Sequence, residues 1–167
     1  MKKANSALFN MQIRAIEPKD FAFIRSLAAE FPTFTVPSEY VLWFFIRFHP
    51  DYCRVIEQRS GVLKAYLLAM PTSNPRDGIA IWQAAATESD RAFTLEFFAA
   101  YLRDLVGHTG VKSVFFSMPN DPASLRLINS LAKQFANCEI ERTNSVPAGQ
   151  NEFEFKLSLN VSKTGEA

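Results

Sequence analysis

The segment of this chain best equipped for chemistry runs from residue 82 to residue 96. Trp82-Gln83-Ala84-Ala85-Ala86 ends an apolar strand, Thr87-Glu88-Ser89-Asp90 forms a polar turn, and a helix opens near Arg91. The first N–H groups of a helix have no partner within it and sit at the positive end of its dipole, so this geometry can hold a phosphate or another anion. The turn is acidic, and Asp90 as an N-cap would bond the same N–H groups that an anion needs. Glu39, Asp51 and Glu57 are carboxylates able to hold or deprotonate an amine, and each also reads as a solvated or capping group. His49 and His108 have the right side chain for a base near neutral pH, but both fall near helix C-termini, where the dipole favours a surface imidazole. The sequence contains no Walker loop, no metal-ligand cluster and no Ser/His/Asp set with a nucleophile turn, so no metal is expected. Cys53 and Cys138 are far apart without CxxC spacing and read as two reduced packing thiols.

Composition narrows the partners. With 167 residues, 48% hydrophobic and 21% charged, the chain is expected to form one domain over residues 11–159, with flexible ends at 1–10 and 160–167. The formal net charge of +1, from 18 basic and 17 acidic residues, gives no strong field for nucleic acid or anionic lipid. The longest apolar run, Val41 to Ile46, is far short of the roughly 20 residues that cross a bilayer. Met1-Lys2-Lys3 leads into Ala4-Asn5-Ser6 without an apolar leader, so the expected location is the cytoplasm, with no nucleic-acid or membrane partner.

The elements that would position these residues follow from hydrophobic period. Met11 to Ile16 reads as a strand, and Pro18 with Asp20 opens a helix through Phe21, Ile24, Leu27 and Ala28. Ser38 caps a second helix carrying Val41, Leu42, Phe45 and Phe48, which Pro50 stops. Trp43-Phe44-Phe45 with Phe48 is more aromatic surface than one helix face can bury, so part of it either lines an acyl pocket or meets a second subunit. Cys53–Gln58 and Val62–Met70 form a hairpin about Ser60-Gly61, and a Pro/Asn/Asp/Gly loop from Pro71 leads into the strand Ile79–Ala86. Leu95, Phe98, Ala99, Leu102, Leu105 and Val106 recur at helical spacing until Gly107 and Gly110 end the element. A strand over Val111–Met118, a helix opened by Asp121-Pro122 with Leu127, Ile128, Leu131 and Phe135 as its stripe, and strands at Cys138–Thr143 and Phe153–Leu159 complete the chain.

This order, β-α-α-β-β-β-α-β-α-β-β, with the strand-turn-helix at Arg91, resembles the GCN5-related N-acetyltransferase superfamily over about residues 11–159. Within it the chain is similar to the diaminobutyrate acetyltransferases through Ser38-Glu39-Tyr40, Asp51-Tyr52-Cys53, Pro71-Thr72-Ser73-Asn74-Pro75, Trp82-Gln83 and Ser130-Leu131-Ala132. The resemblance implies an α+β, three-layer fold. Its mixed, mostly antiparallel sheet has six to seven strands, splayed between the fourth and fifth and flanked by about four helices. It also implies acetyl transfer from acetyl-CoA to a primary amine of a small molecule, with a homodimer as a possible assembly.

Carried over position by position, the resemblance assigns the pantetheine arm to the peptide groups of Ala84, Ala85 and Ala86. The pyrophosphate falls to the turn Arg91-Ala92-Phe93-Thr94-Leu95-Glu96. Thr94 stands where the family has glycine and Glu96 where it has a small residue, so a β-carbon and a carboxylate are set against an anionic group, with Arg91 or Lys133 available to compensate. Asn120 or Asp121 matches a pantetheine contact, although Asp121 also reads as a simple cap. The family's thiolate-protonating tyrosine is replaced in Arg126-Leu127-Ile128-Asn129, leaving Ser124 or a water for that step. On the acceptor side, Tyr40, Trp82, Thr35 and Glu39 are the expected substrate contacts. Thr35 and Pro37 replace an acidic residue and an asparagine of the diaminobutyrate enzymes, which points to a different amine. Two readings stay open: an acyl-CoA-dependent N-acyltransferase, or a catalytically inactive binding or interaction module of the same fold that has lost normal acetyl-CoA binding.

Overall fold

A computed structural model describes residues 11–87, 91–119, 122–135, 138–143 and 152–159 of the chain. The expectations for Asp90, Asn120, Asp121 and both chain ends lie outside the described residues, as do the side chains of Arg91, Ala92 and Phe93. The element order is β1 (Met11–Ala15), α1 (Phe21–Ala29), α2 (Glu39–Phe48), β2 (Arg54–Gln58), β3 (Leu63–Pro71), β4 (Gly78–Ala86), α3 (Arg91–Thr109), β5 (Ser113–Pro119), α4 (Pro122–Ala132), β6 (Cys138–Thr143) and β7 (Glu152–Leu159). Short 3-10 turns at Pro18–Asp20 and Pro50–Tyr52 precede α1 and follow α2. The fold class is the expected one: the described residues form a mixed seven-stranded sheet in the order β1-β2-β3-β4-β5-β7-β6 with four helices. β4 and β5 pair in parallel, and β1–β2, β2–β3, β5–β7 and β6–β7 run antiparallel. Among the described residues, no helix is long and apolar enough to cross a membrane.

The chain divides into two compact units, one of Met1–Met70 with Trp82–Phe97 and the other of Pro71–Ile81 with Phe98–Ala167. In the first, α1 and α2 bury Phe21, Ile24, Leu27, Leu42 and Phe45 with Val55, Tyr66, Leu68 and Ala85 from the strands. Ser38 caps α2 as its sequence demands, its Oγ accepting from the Val41 N–H at 3.2 Å. Gly61 takes the left-handed conformation (φ +84°) that closes the β2–β3 hairpin, and its N–H donates to the Gln58 carbonyl at 2.8 Å.

A charged cluster at this unit's edge has no counterpart in the sequence expectations. Asp20, 1% exposed, accepts both Nη groups of Arg14, at 2.7 and 2.9 Å, and the Glu17 N–H at 2.9 Å. The Nε of Arg14 bonds the Glu57 carboxylate on β2, so Glu57 is tied to an arginine rather than solvated. The Asp20 hydrogen bond raises the Arg14 pKa, burial opposes it and Glu57 adds to it, so the guanidinium stays charged throughout the working range.

Cys53 lies in the same core, fully buried, with its Sγ 3.5 Å from the Ala69 carbonyl; burial pushes its thiol from an ordinary 9.0 up to about 12. Burial likewise raises the Tyr66 phenol. Below pH 9 the Cys53 thiol is protonated in both folded and unfolded chains and has no effect on the balance. Above it, the unfolded chain loses a proton that the folded one keeps, so stability falls by about 1.4 kcal/mol per pH unit until the folded value is reached. Urea titrations at pH 8, 9 and 10 should show this decline, and Cys53→Ala should reduce it.

In the second unit the β3–β4 loop is closed by its own polar groups. The Thr72 N–H donates to the Gly78 carbonyl at 2.9 Å, Thr72 Oγ1 to the Pro75 carbonyl at 2.6 Å, and the Gly78 N–H to the same carbonyl at 3.1 Å. The loop includes a cis Asn74–Pro75 peptide. A Cβ on Gly78 would lie 2.5 Å from Thr72 Oγ1 and 3.2 Å from both Phe115 Cε2 and the Pro75 carbonyl, so only glycine fits without rearrangement. Gly78→Ala should destabilise the protein by about 1–3 kcal/mol, read from the urea midpoint at constant m-value.

Two boundaries differ from expectation. Gly107 does not end α3, which runs on to Thr109. A glycine inside a helix costs only about 1 kcal/mol, and the left-handed residue that terminates the helix is Gly110 (φ +68°). Phe135 lies beyond the end of α4 at Ala132, and the Arg103 guanidinium sits 5.5 Å from its ring centroid.

Candidate functional site

β4 and β5 pair in parallel at Gly78–Ser113, Ile79–Val114 and Ala80–Phe115, and both strands continue past the last of these pairs. Beyond it β4 carries Ile81 through Ala86, and the Thr87 N–H bonds the Lys64 carbonyl of β3 at 2.8 Å. Three consecutive alanines there present peptide groups with little side-chain bulk, Ala85 buried and Ala84 and Ala86 half-buried. α3 opens at Arg91, five residues after β4 ends, as the sequence pattern requires. Thr94, Leu95 and Glu96 lie within its first two turns with half-buried side chains. The departures at Thr94 and Glu96 therefore stand at the start of a formed helix.

The expected acceptor residues are all in the unit that holds this end of β4. Trp82 is 42% exposed and stacks on the buried Phe45 of α2, with ring centroids 5.4 Å apart. Phe45 also meets His49 at 6.2 Å, and His49 meets Phe44 at 5.5 Å, so the rings form a continuous aromatic series. Tyr40 is 79% exposed at the start of α2, and the neighbouring Glu39 lies 3.5 Å from Arg25. Thr35 is exposed in the α1–α2 connection, and its carbonyl accepts a hydrogen bond from Gln83 Nε2 at 3.1 Å. Gln83 Oε1 accepts in turn from the buried Tyr66 hydroxyl at 2.8 Å.

Of the two proton-transfer candidates, Glu57 is committed to Arg14 in the first unit, and Ser124 is buried on α4 in the second. Asp51 is exposed in the 3-10 turn after α2. His108 is on the surface, its Nδ1 2.7 Å from the Asp104 carbonyl in the last turn of α3. Among the described residues no group of three or more His, Cys, Asp and Glu is placed to hold a metal ion. The Tyr66–Gln83–Thr35 chain and the Arg14 cluster were missed by sequence reasoning. The signal for the first was a glutamine inside an otherwise apolar strand, a position that demands partners once buried.

No protein-family model matches the chain, and no curated protein matches it by sequence. Solved structures do. A diaminobutyrate acetyltransferase from Paenibacillus lautus, in complex with its substrate L-2,4-diaminobutyric acid and coenzyme A, superposes with a TM-score of 0.69 at 20% identity, covering 93% of this chain and 98% of that one. A dodecameric spermidine N-acetyltransferase from Vibrio cholerae gives 0.64 at 13% identity, with 89% and 92% covered. The ribosomal-protein-S18-alanine N-acetyltransferase from Escherichia coli gives 0.62 at 15% identity, with 93% and 97% covered. At such identities the likeness establishes the fold.

Proposed function

We propose, from the GCN5-related N-acetyltransferase fold that this chain has, that it is an N-acetyltransferase carrying an acetyl group from acetyl-CoA to a primary amine of a small molecule of amino acid or polyamine type. The observation that carries the proposal is the stretch Ala84–Ala86 of β4, beyond the last β5 pair and leading to the start of α3. Such a strand end can take an extended pantetheine arm as an added strand, and the helix start can take its phosphates. The alanines fit this role. Thr94 and Glu96 fit it less well than the small residues of the resembling family, which favours weak coenzyme binding and supports the second reading, an inactive binding module.

When bound, acetyl-CoA supplies an acyl carbon already activated as a thioester. The chain's own part is to orient and to move protons. Backbone N–H groups near Ala84 and Ala85 would polarise the thioester carbonyl, and the first N–H groups of α3 with Arg91 and Leu95 would hold the pyrophosphate. Trp82, Thr35, Tyr40 and Glu39 would bound the amine. With Glu57 held by Arg14, a water is the better candidate for deprotonating it and a second water for protonating the departing thiolate, the step for which the resemblance offered Ser124 or a water. A homodimer belongs to the same proposal.

The test is free-thiol release from acetyl-CoA across a panel of primary amines. Release that depends on the amine and saturates with it supports the enzyme. Absence of both coenzyme binding and thiol release under any amine supports the binding module.

A further inference from the structure

We propose that Gln83 is a positioning residue for the amine acceptor, latching the α1–α2 connection to β4 through the carbonyl of Thr35. The proposal rests on the acetyltransferase reading and adds to it the residue that sets the acceptor side. Gln83 lies on β4 directly before Ala84, 7% exposed, so its amide has little access to water. Its two hydrogen bonds can be arranged in only one way. The Thr35 carbonyl can only accept, so the Gln83 nitrogen must face it, at 3.1 Å. The Gln83 oxygen then faces Tyr66, whose hydroxyl must donate, at 2.8 Å. Tyr66 is itself fully buried on β3, which fixes the amide from behind.

The latch spans 48 residues of sequence. By contrast, the Phe34 N–H bond to the Phe31 carbonyl at 3.0 Å and the Phe31–Phe34 stack at 5.0 Å are local to the connection they stabilise. Thr35 is three residues before the α2 cap Ser38 and five before Tyr40, so Gln83 governs where the start of α2 stands relative to Trp82 and the alanines. A shift of this segment changes how an amine is presented without touching the peptide groups that would hold the coenzyme.

Gln83→Met keeps the volume and removes both bonds, leaving the Tyr66 hydroxyl buried without its partner. Tyr66→Phe combined with Gln83→Met removes both polar groups and restores an apolar match, which is close to neutral for stability. The expected result is a thermal midpoint near wild type for the double variant, with the acceptor KM still raised about tenfold, the effect of one hydrogen bond. The KM for acetyl-CoA and kcat should stay within about twofold. Hydrogen–deuterium exchange over residues 31–38 should be faster in both variants, and it can be read even if the wild-type protein transfers no acetyl group. An acceptor KM that recovers together with stability, or exchange over 31–38 that does not change, overturns the proposal. No thiol release by the wild type under any amine would instead overturn the acetyltransferase reading, and the exchange result would still decide the latch.

Discussion

Arg14→Met should destabilise the folded protein by about 3–5 kcal/mol, the cost of leaving a buried carboxylate without its cation. Asp20 is 1% exposed and would keep the Glu17 N–H as its donor among the described residues. The pair joins β1 to the 3-10 turn that leads into α1, and Glu57 extends it to β2, so the loss should lower the cooperative unfolding transition of the whole unit. Glu57→Gln should cost much less, because its side chain is 23% exposed and water can replace the lost charge. Arg14→Met with Asp20→Asn should recover a large part of the deficit, since the second change removes the stranded charge. Urea unfolding of the four proteins measures all of this. Equal losses for Arg14→Met and Glu57→Gln would show that the buried pair is not the anchor.

The second large effect concerns the start of α3. Thr94→Gly with Glu96→Ala should tighten coenzyme binding by roughly a hundredfold. Two like charges about 6 Å apart at an effective dielectric near 20 repel by about 3 kcal/mol, and removing the Thr94 side chain also clears the approach to the backbone. Glycine within a helix costs about 1 kcal/mol of stability, which the thermal midpoint will report separately from affinity. Calorimetric titration with acetyl-CoA reads the gain. Unchanged affinity would mean that this turn does not face the phosphates.

The sequence revealed the elements well because each carries its own local signal. The Ser38 cap, the Gly61 turn and the alternation of β7 depend on neighbours a few residues away, and all appear in the structure. The aromatic excess on α2 was equally legible: Leu42 and Phe45 are buried, while Trp43 is 51% and Phe48 65% exposed. Of the two glycines expected to end α3, Gly110 does so in the left-handed conformation and Gly107 stays within the helix, a choice between near neighbours that the local sequence does not make. The site was harder to read, since its partners are far apart in the chain. Asp20 reads locally as a helix opener and Glu57 as a solvated carboxylate, and only the register of β1 against β2 brings Arg14 to both. Gln83 finds Thr35 and Tyr66 only after the sheet and the α1–α2 connection have formed.

The central claim is that the end of β4 and the start of α3 together receive a coenzyme thioester. Titration calorimetry of the wild-type chain with acetyl-CoA, run beside a thermal-shift series, tests it most directly. Saturable heat and a midpoint that climbs with coenzyme concentration are the expected result. No heat and an unmoved midpoint at millimolar coenzyme would contradict it.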